Sequence, residues 1–134
     1  MNPRVGFIGL GTMGGPMARR LTSAGLCVTG FDRNSTALDA CPEIHRADTA
    51  LACAQSVDLL LTSLPRPDHV ESVMIEEGLL ASLTSDQIWV DLTTNRRETL
   101  IEWSSATDAR IIDCPVTGAV DGARNGTLTL FAGG

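Results

Sequence analysis

The chain has 134 residues, 43% apolar and 19% charged, enough for one hydrophobic core and unlike the composition of disordered or low-complexity segments. Its formal charge of −6 argues against a general nucleic-acid or anionic-membrane partner, because the overall field repels both. No apolar run approaches the roughly 20 residues needed to cross a bilayer, and the N-terminus enters an apolar strand without a cationic, apolar leader, so a cytoplasmic location is expected.

Arg4 to Ile8 reads as a buried strand. It runs into Gly9-Leu10-Gly11-Thr12-Met13-Gly14, a G-x-G-x-x-G turn, and Pro16 suits the first turn of a following helix. Between a strand and a helix, this motif is the signature of a dinucleotide pyrophosphate site. Gly9 permits the tight turn, Gly11 lets backbone N–H groups approach a phosphate, and Gly14 lets helix and strand pack closely. The helix N-terminus then faces the anion.

That helix is expected over Thr12 to Ala24, with Met13, Met17, Leu21 and Ala24 on one face and Gly25 as the stop. Leu26 to Phe31 reads as the second strand, and Asp32 follows Gly14 by 18 residues, at the strand's end. A carboxylate there accepts hydrogen bonds from a ribose 2′-hydroxyl and repels a 2′-phosphate, which favours NAD. Arg33 presents a guanidinium to a 2′-phosphate and a plane to adenine, with Asn34 as a further donor, which favours NADP. Both cofactors stay open on these residues.

Asn34 also reads as the cap of a helix over Ser35 to Ala40 that Pro42 ends, and Glu43 to Arg46 as a short third strand. Asp48 is expected to cap a helix over Thr49 to Gln55. Val57 to Ser63 is a nearly continuous apolar strand closed by Pro65, the pattern of a parallel sheet buried on both faces. Pro67 opens a helix through about Met74, Gln87 to Leu92 is a strand, Glu98 to Ala106 a helix and Ala109 to Cys114 a strand. The alternation predicts a doubly wound, mostly parallel α/β sheet in one domain spanning residues 1–134. Thr127 to Ala132 reads as one more strand. With no helix after it, the sheet is expected to be incomplete at its C-terminal end, leaving an open apolar edge that lowers stability or pairs with a second copy. Cys27, Cys41, Cys53 and Cys114 lack metal-ligand spacing and His45 stands far from His69, so reduced thiols and no metal are expected.

Four segments resemble the β-hydroxyacid dehydrogenase family, which includes 3-hydroxyisobutyrate dehydrogenase and tartronate semialdehyde reductase and is akin to 6-phosphogluconate dehydrogenase. They are Gly9 to Leu21, Ser63-Leu64-Pro65 with His69-Val70, Asp91 to Thr94, and Asp113 to Gly134. The last is the most specific, running through Asp113-Cys114-Pro115-Val116-Thr117-Gly118-Ala119, then Gly122-Ala123 and Gly126-Thr127-Leu128-Thr129. The resemblance covers the whole chain and implies a Rossmann-like fold with Gly9, Leu10, Gly11, Thr12, Met13 and Gly14 on the cofactor. It implies that Leu64 and Pro65 pass close to the cofactor and that the Thr94 hydroxyl meets its nicotinamide side. Thr117, Gly118 and Ala119 are implied to hold the substrate carboxylate. Thr117 stands for the usual Ser and Ala119 for the usual Gly, and the added methyl groups suit a small substrate. Arg96 and Arg97 replace the family's continuation and read as a solvated helix start.

The implied reaction is hydride transfer between NAD or NADP and a small β-hydroxyacid or its semialdehyde. Removing hydride from an alcohol requires its proton to leave, so an acid/base must sit beside the substrate oxygen. In the family this is a lysine on a helix beyond the nucleotide domain. The ten cationic residues here are all arginines, which do not shuttle protons near neutral pH, so no catalytic residue is assigned and the lysine is expected beyond Gly134. Asp91 and Asp113 read as loop or capping groups, and Asp121 occupies a variable position of the motif. The chain is thus expected to bind cofactor, to be inactive alone and to belong to a homo-oligomer when full-length. Imine reductases, similar in this domain, and a non-catalytic dinucleotide-binding scaffold remain alternatives; the retained Thr117-Gly118 and Gly126-Thr127 lean toward the enzyme.

Overall fold

A computed structural model describes residues 2–133. Strand β1, Arg4–Ile8, lies at the centre of a six-stranded sheet with β2 (Cys27–Phe31) on one side and β4 (Leu59–Thr62) on the other. Outside these lie β3 (His45–Arg46) next to β2, and β5 (Ile88–Asp91) and then β6 (Arg110–Asp113) beyond β4. Every pairing is parallel and the order is β3-β2-β1-β4-β5-β6, the doubly wound arrangement the β/α alternation predicts.

The helices are α1 (Gly14–Ser23), α2 (Ser35–Asp39), α3 (Ala50–Gln55), α4 (Pro67–Glu71), α5 (Leu79–Ser82) and α6 (Arg97–Ser104). They cover both faces, so successive strand residues are buried on opposite sides. Val5 and Phe7 of β1 and Leu61 of β4 pack with Met17 and Ala18 of α1. Ile8 and Leu60 pack with Cys53 of α3, Val70 of α4 and Leu80 of α5. On that second face Trp89 and Trp103 stack with ring centroids 6.1 Å apart. Cys41, Cys53 and Cys114 are buried thiols, and burial pushes the Cys53 thiol up to about 12.

Three expectations are corrected. Thr49, not Asp48, caps α3: its hydroxyl accepts from the Ala52 N–H at 3.0 Å, because Thr49 is the last residue with extended backbone, φ −141° and ψ 161°. The helix opened by Pro67 keeps α geometry only to Glu71, and Ser72–Glu76 forms a wider π turn. The segment Thr127 to Ala132 does not extend the sheet. After β6 the chain forms β7 (Val116–Thr117), α7 (Ala119–Asn125) and β8 (Thr129–Leu130), and β8 pairs antiparallel with β7 in a separate two-stranded sheet. The short strand β7 turns the chain off the edge of the large sheet before α7, so β8 meets β7 and not β6. Instead α7 leans on α1, with Ala123 buried in the same cluster as Met17.

Candidate functional site

A cleft of about 710 Å³ opens at the carboxyl ends of the central strands. It lies where the strand order reverses between β1 and β4, the position at which doubly wound sheets bind ligands. Gly9, Gly11, Thr12, Met13 and Gly14 line its floor. The turn admits few other residues. Gly9 has φ +97°, and a Cβ there would stand 2.0 Å from the Ser63 carbonyl oxygen. A Cβ on Gly14 would stand 1.8 Å from the Gly9 oxygen.

Gly11 differs from both. No atom lies within 4 Å of the place its Cβ would take, and that space belongs to the cleft. Among the described residues no acceptor takes up the N–H of Gly11, Thr12 or Met13, and no side chain caps α1. The ten-residue helix α1 therefore directs unused donors at an open space that a Cβ would fill. These features fit a dinucleotide pyrophosphate. Leu10 plays another part: its side chain is buried in the core, and its N–H donates to Asp32 Oδ2 at 2.8 Å.

Asp32, Arg33 and Asn34 line one end of the cleft with Ala37. The second Asp32 oxygen accepts from the Asn34 N–H at 2.8 Å, so backbone amides on two sides hold this carboxylate at the rim. The Asn34 side chain accepts from the Thr36 N–H at 2.9 Å, capping α2 as its sequence suggests. Arg33 turns away from the glycine turn: its Nη2 donates to Ser72 Oγ and to Glu77 Oε2, both at 2.9 Å.

Leu64, Pro65 and Thr94 line the cleft with Thr93 and Val116. The Thr93 hydroxyl accepts from the Leu64 N–H at 3.0 Å and so ties the loop after β4 to the loop after β5. Beneath them Asp91 is fully buried. It accepts from the Thr62 hydroxyl and the Thr93 N–H at 3.0 Å and from Asn95 Nδ2 at 3.2 Å, while Trp89 Nε1 donates to Thr62. Burial raises the Asp91 carboxyl above its ordinary proton affinity, and these donors oppose the shift. The arrangement gives Asp91 a structural role, fixing the two loops that meet the cleft.

Thr117, Gly118 and Ala119 do not line the cleft; the residue before them, Val116, does. Thr117 is exposed and paired with Thr129. Gly118 has φ +125°, and Ala119 follows with φ +53°, a left-handed backbone that L side chains rarely adopt. Asp113 lies nearby, at the end of β6. Burial raises its carboxyl while Arg97 opposes the shift, and among the described residues its buried Oδ1 has no hydrogen-bond partner. His69, Val73 and Thr93 also line the cleft and were not expected at the cofactor from their own patterns. For Thr93 a signal was present, since it lies just past the carboxyl end of the parallel strand β5.

Comparison with known proteins agrees with this geometry. Residues 4–134 match the family model for the NAD binding domain of 6-phosphogluconate dehydrogenase. The 3-hydroxyisobutyrate dehydrogenase of Pseudomonas aeruginosa is 38% identical over 136 residues, covering 97% of this chain and 46% of the relative. Among solved structures, the Mycobacterium tuberculosis 3-hydroxyisobutyrate dehydrogenase with L-serine is 30% identical at a TM-score of 0.91, covering 100% of this chain and 47% of that chain. Psf3 in complex with NADP+ and 2-OPP is 31% identical at a TM-score of 0.86, covering 96% of this chain and 48% of that chain. The chain spans about half the length of the relatives it matches. With its strand order, glycine turn and cleft, it belongs to the family of the 6-phosphogluconate dehydrogenase NAD binding domain, in the company of the 3-hydroxyisobutyrate dehydrogenases.

Proposed function

We propose that this chain is the cofactor-binding part of an NAD(P)-dependent oxidoreductase acting on a small β-hydroxyacid or its semialdehyde. The observation that carries the reading is the open space above Gly11, bordered by unused N–H groups at the switch point of the sheet. Gly9, Gly11, Thr12, Met13 and Gly14 hold the pyrophosphate, with the buried Leu10 fixing the turn through Asp32. Asp32, Arg33 and Asn34 face the adenosine ribose, and Leu64, Pro65 and Thr94 the nicotinamide half.

A nicotinamide bound there supplies the hydride donor or acceptor. The chain's own residues bind and orient it. The Asp91–Thr93 contacts hold the loops rigid, and Leu64 and Val116 keep that end of the cleft apolar. Thr117, Gly118 and Ala119, one residue beyond the lining at Val116, take the substrate carboxylate in this reading. The Ala119 methyl narrows that place toward small acids. Proton transfer falls to a group outside these residues, since arginine holds its proton at neutral pH.

Small acids suit the relatives, one of them a 3-hydroxyisobutyrate dehydrogenase and another solved with L-serine. Homo-oligomerisation and a cytoplasmic setting stay part of the proposal. Among the described residues no helix is long and apolar enough to cross a membrane, and some relatives are named mitochondrial. The test assays a protein carrying this domain at the relatives' full length, with 3-hydroxyisobutyrate, L-serine and other short β-hydroxyacids, following reduced cofactor. Turnover by the long protein and none by the 134-residue chain is expected. A long protein that binds dinucleotide yet turns over none of the panel would sink the enzymatic reading, and turnover by the 134-residue chain would sink the division of labour.

A further inference from the structure

Ser72 and Glu77 stand five positions apart, which in an α-helix places them about 140° apart around the axis. The π turn alters that relation. The Glu77 N–H donates to the Ser72 carbonyl at 3.0 Å, the i+5 closure of a wide turn, and both side chains reach the same guanidinium. Arg33 comes from the loop after β2, 39 residues before Ser72 and 44 before Glu77. It is thus gripped across the adenosine end of the cleft by a segment whose Val73 and neighbouring His69 line the same cleft.

The charges then decide what that end accepts. Asp32 is fixed at the rim as a carboxylate acceptor, and Glu77 pairs with the guanidinium of the next residue, Arg33. Two carboxylates against one guanidinium leave the place of a 2′-substituent net negative, and a phosphate adds nearly two further negative charges. A ribose hydroxyl, in contrast, finds an oriented acceptor. Resting on the dinucleotide reading above, we propose that Glu77, set beside Ser72 by the π turn, steers cofactor choice toward NAD by occupying Arg33. Glu77 is a positioning residue, acting on the nucleotide through Arg33.

The experiment measures the dissociation constants of NAD and NADP for the 134-residue chain and for Glu77→Gln, Arg33→Ala and the double variant. Wild type binds NAD the more tightly. Glu77→Gln tightens NADP about three- to fivefold, the range of an exposed ion pair, and leaves NAD within about twofold. In the Arg33→Ala background the same change has no effect on either nucleotide. An unchanged NADP-to-NAD ratio in Glu77→Gln, a gain that survives loss of Arg33, or a wild type that prefers NADP overturns the clamp alone. Saturable binding of neither nucleotide to wild type overturns the dinucleotide reading and the clamp with it. Thermal unfolding of each variant separates altered recognition from altered folding, and Ser72→Ala, expected to loosen Arg33 in the same direction, supplies a second route to the result.

Discussion

The glycine turn and the segment after β6 both carry family-like glycines, yet they are built on opposite terms. At the turn, backbone packs on backbone: Gly9 and Gly14 leave no space for a Cβ, and Leu10, Met17 and Ala18 beside them are core. After β6 the chain makes a two-residue pairing and a short helix, with Leu130 and Phe131 more than half exposed and Ala119 held at φ +53°. The first region is a turn fixed by the sheet on which it sits. The second is an exposed rim anchored to the core through Ala123 of α7 and through Leu128.

The largest expected effect separates the two at once. Gly14→Ala places a methyl carbon against the Gly9 oxygen and should cost more than about 3 kcal/mol, read from the urea midpoint. Unfolding at near wild-type denaturant would show that the turn yields more easily than its contacts indicate. Next comes the buried carboxylate that links the loops. Asp91→Ala strands the Thr93 N–H and Asn95 amide and should cost about 2 kcal/mol.

Asp91→Asn keeps the shape and discards the charge, which gives a test with a sign. Burial raises the Asp91 carboxyl in the fold above its ordinary 3.8, so the folded state binds the proton more tightly than the unfolded one. The resulting contribution is present below that ordinary value and is lost as pH rises through the raised one. Stability measured across this window should fall less in Asp91→Asn than in wild type; an equal fall would mean that other groups carry it.

The smallest effect has the opposite sign and belongs to the rim. Ala119→Gly relieves a left-handed backbone and should stabilise by about 0.5–1 kcal/mol, visible as a raised unfolding temperature. A destabilised variant would show that the methyl group packs usefully.

What the residues disclosed follows the same division. The bounds of β1 are those read from Arg4 to Ile8, and the Asn34 cap is present, because short-range rules decide both. The cap of α3 fell to Thr49 because two neighbouring residues had the chemistry and only tertiary placement chose between them. The π turn had no signal in a sequence whose apolar spacing read as continuous helix, so the approach of Glu77 to Arg33 was invisible until the fold joined segments 44 residues apart. Thr127 to Ala132 read as strand correctly in kind, but pairing partner and direction are nonlocal and were misjudged. The place of the glycine turn at the cleft was legible because the motif stands between a strand and a helix. Val73 was not, because it reaches the cleft through the π turn after α4; His69 stands in a family-like segment, but its own pattern gave it no place at the cleft.

If the turn is a cradle, its middle glycine serves a ligand and not the fold. Gly11→Val tests it, since apart from the adjoining residues no described atom lies within 4 Å of the place its Cβ would take. NAD and NADP titrated into wild type and variant, beside their unfolding curves, should show stability within about 1 kcal/mol and binding weakened by at least about tenfold. Undiminished binding by the stable variant would mean that no phosphate approaches Gly11.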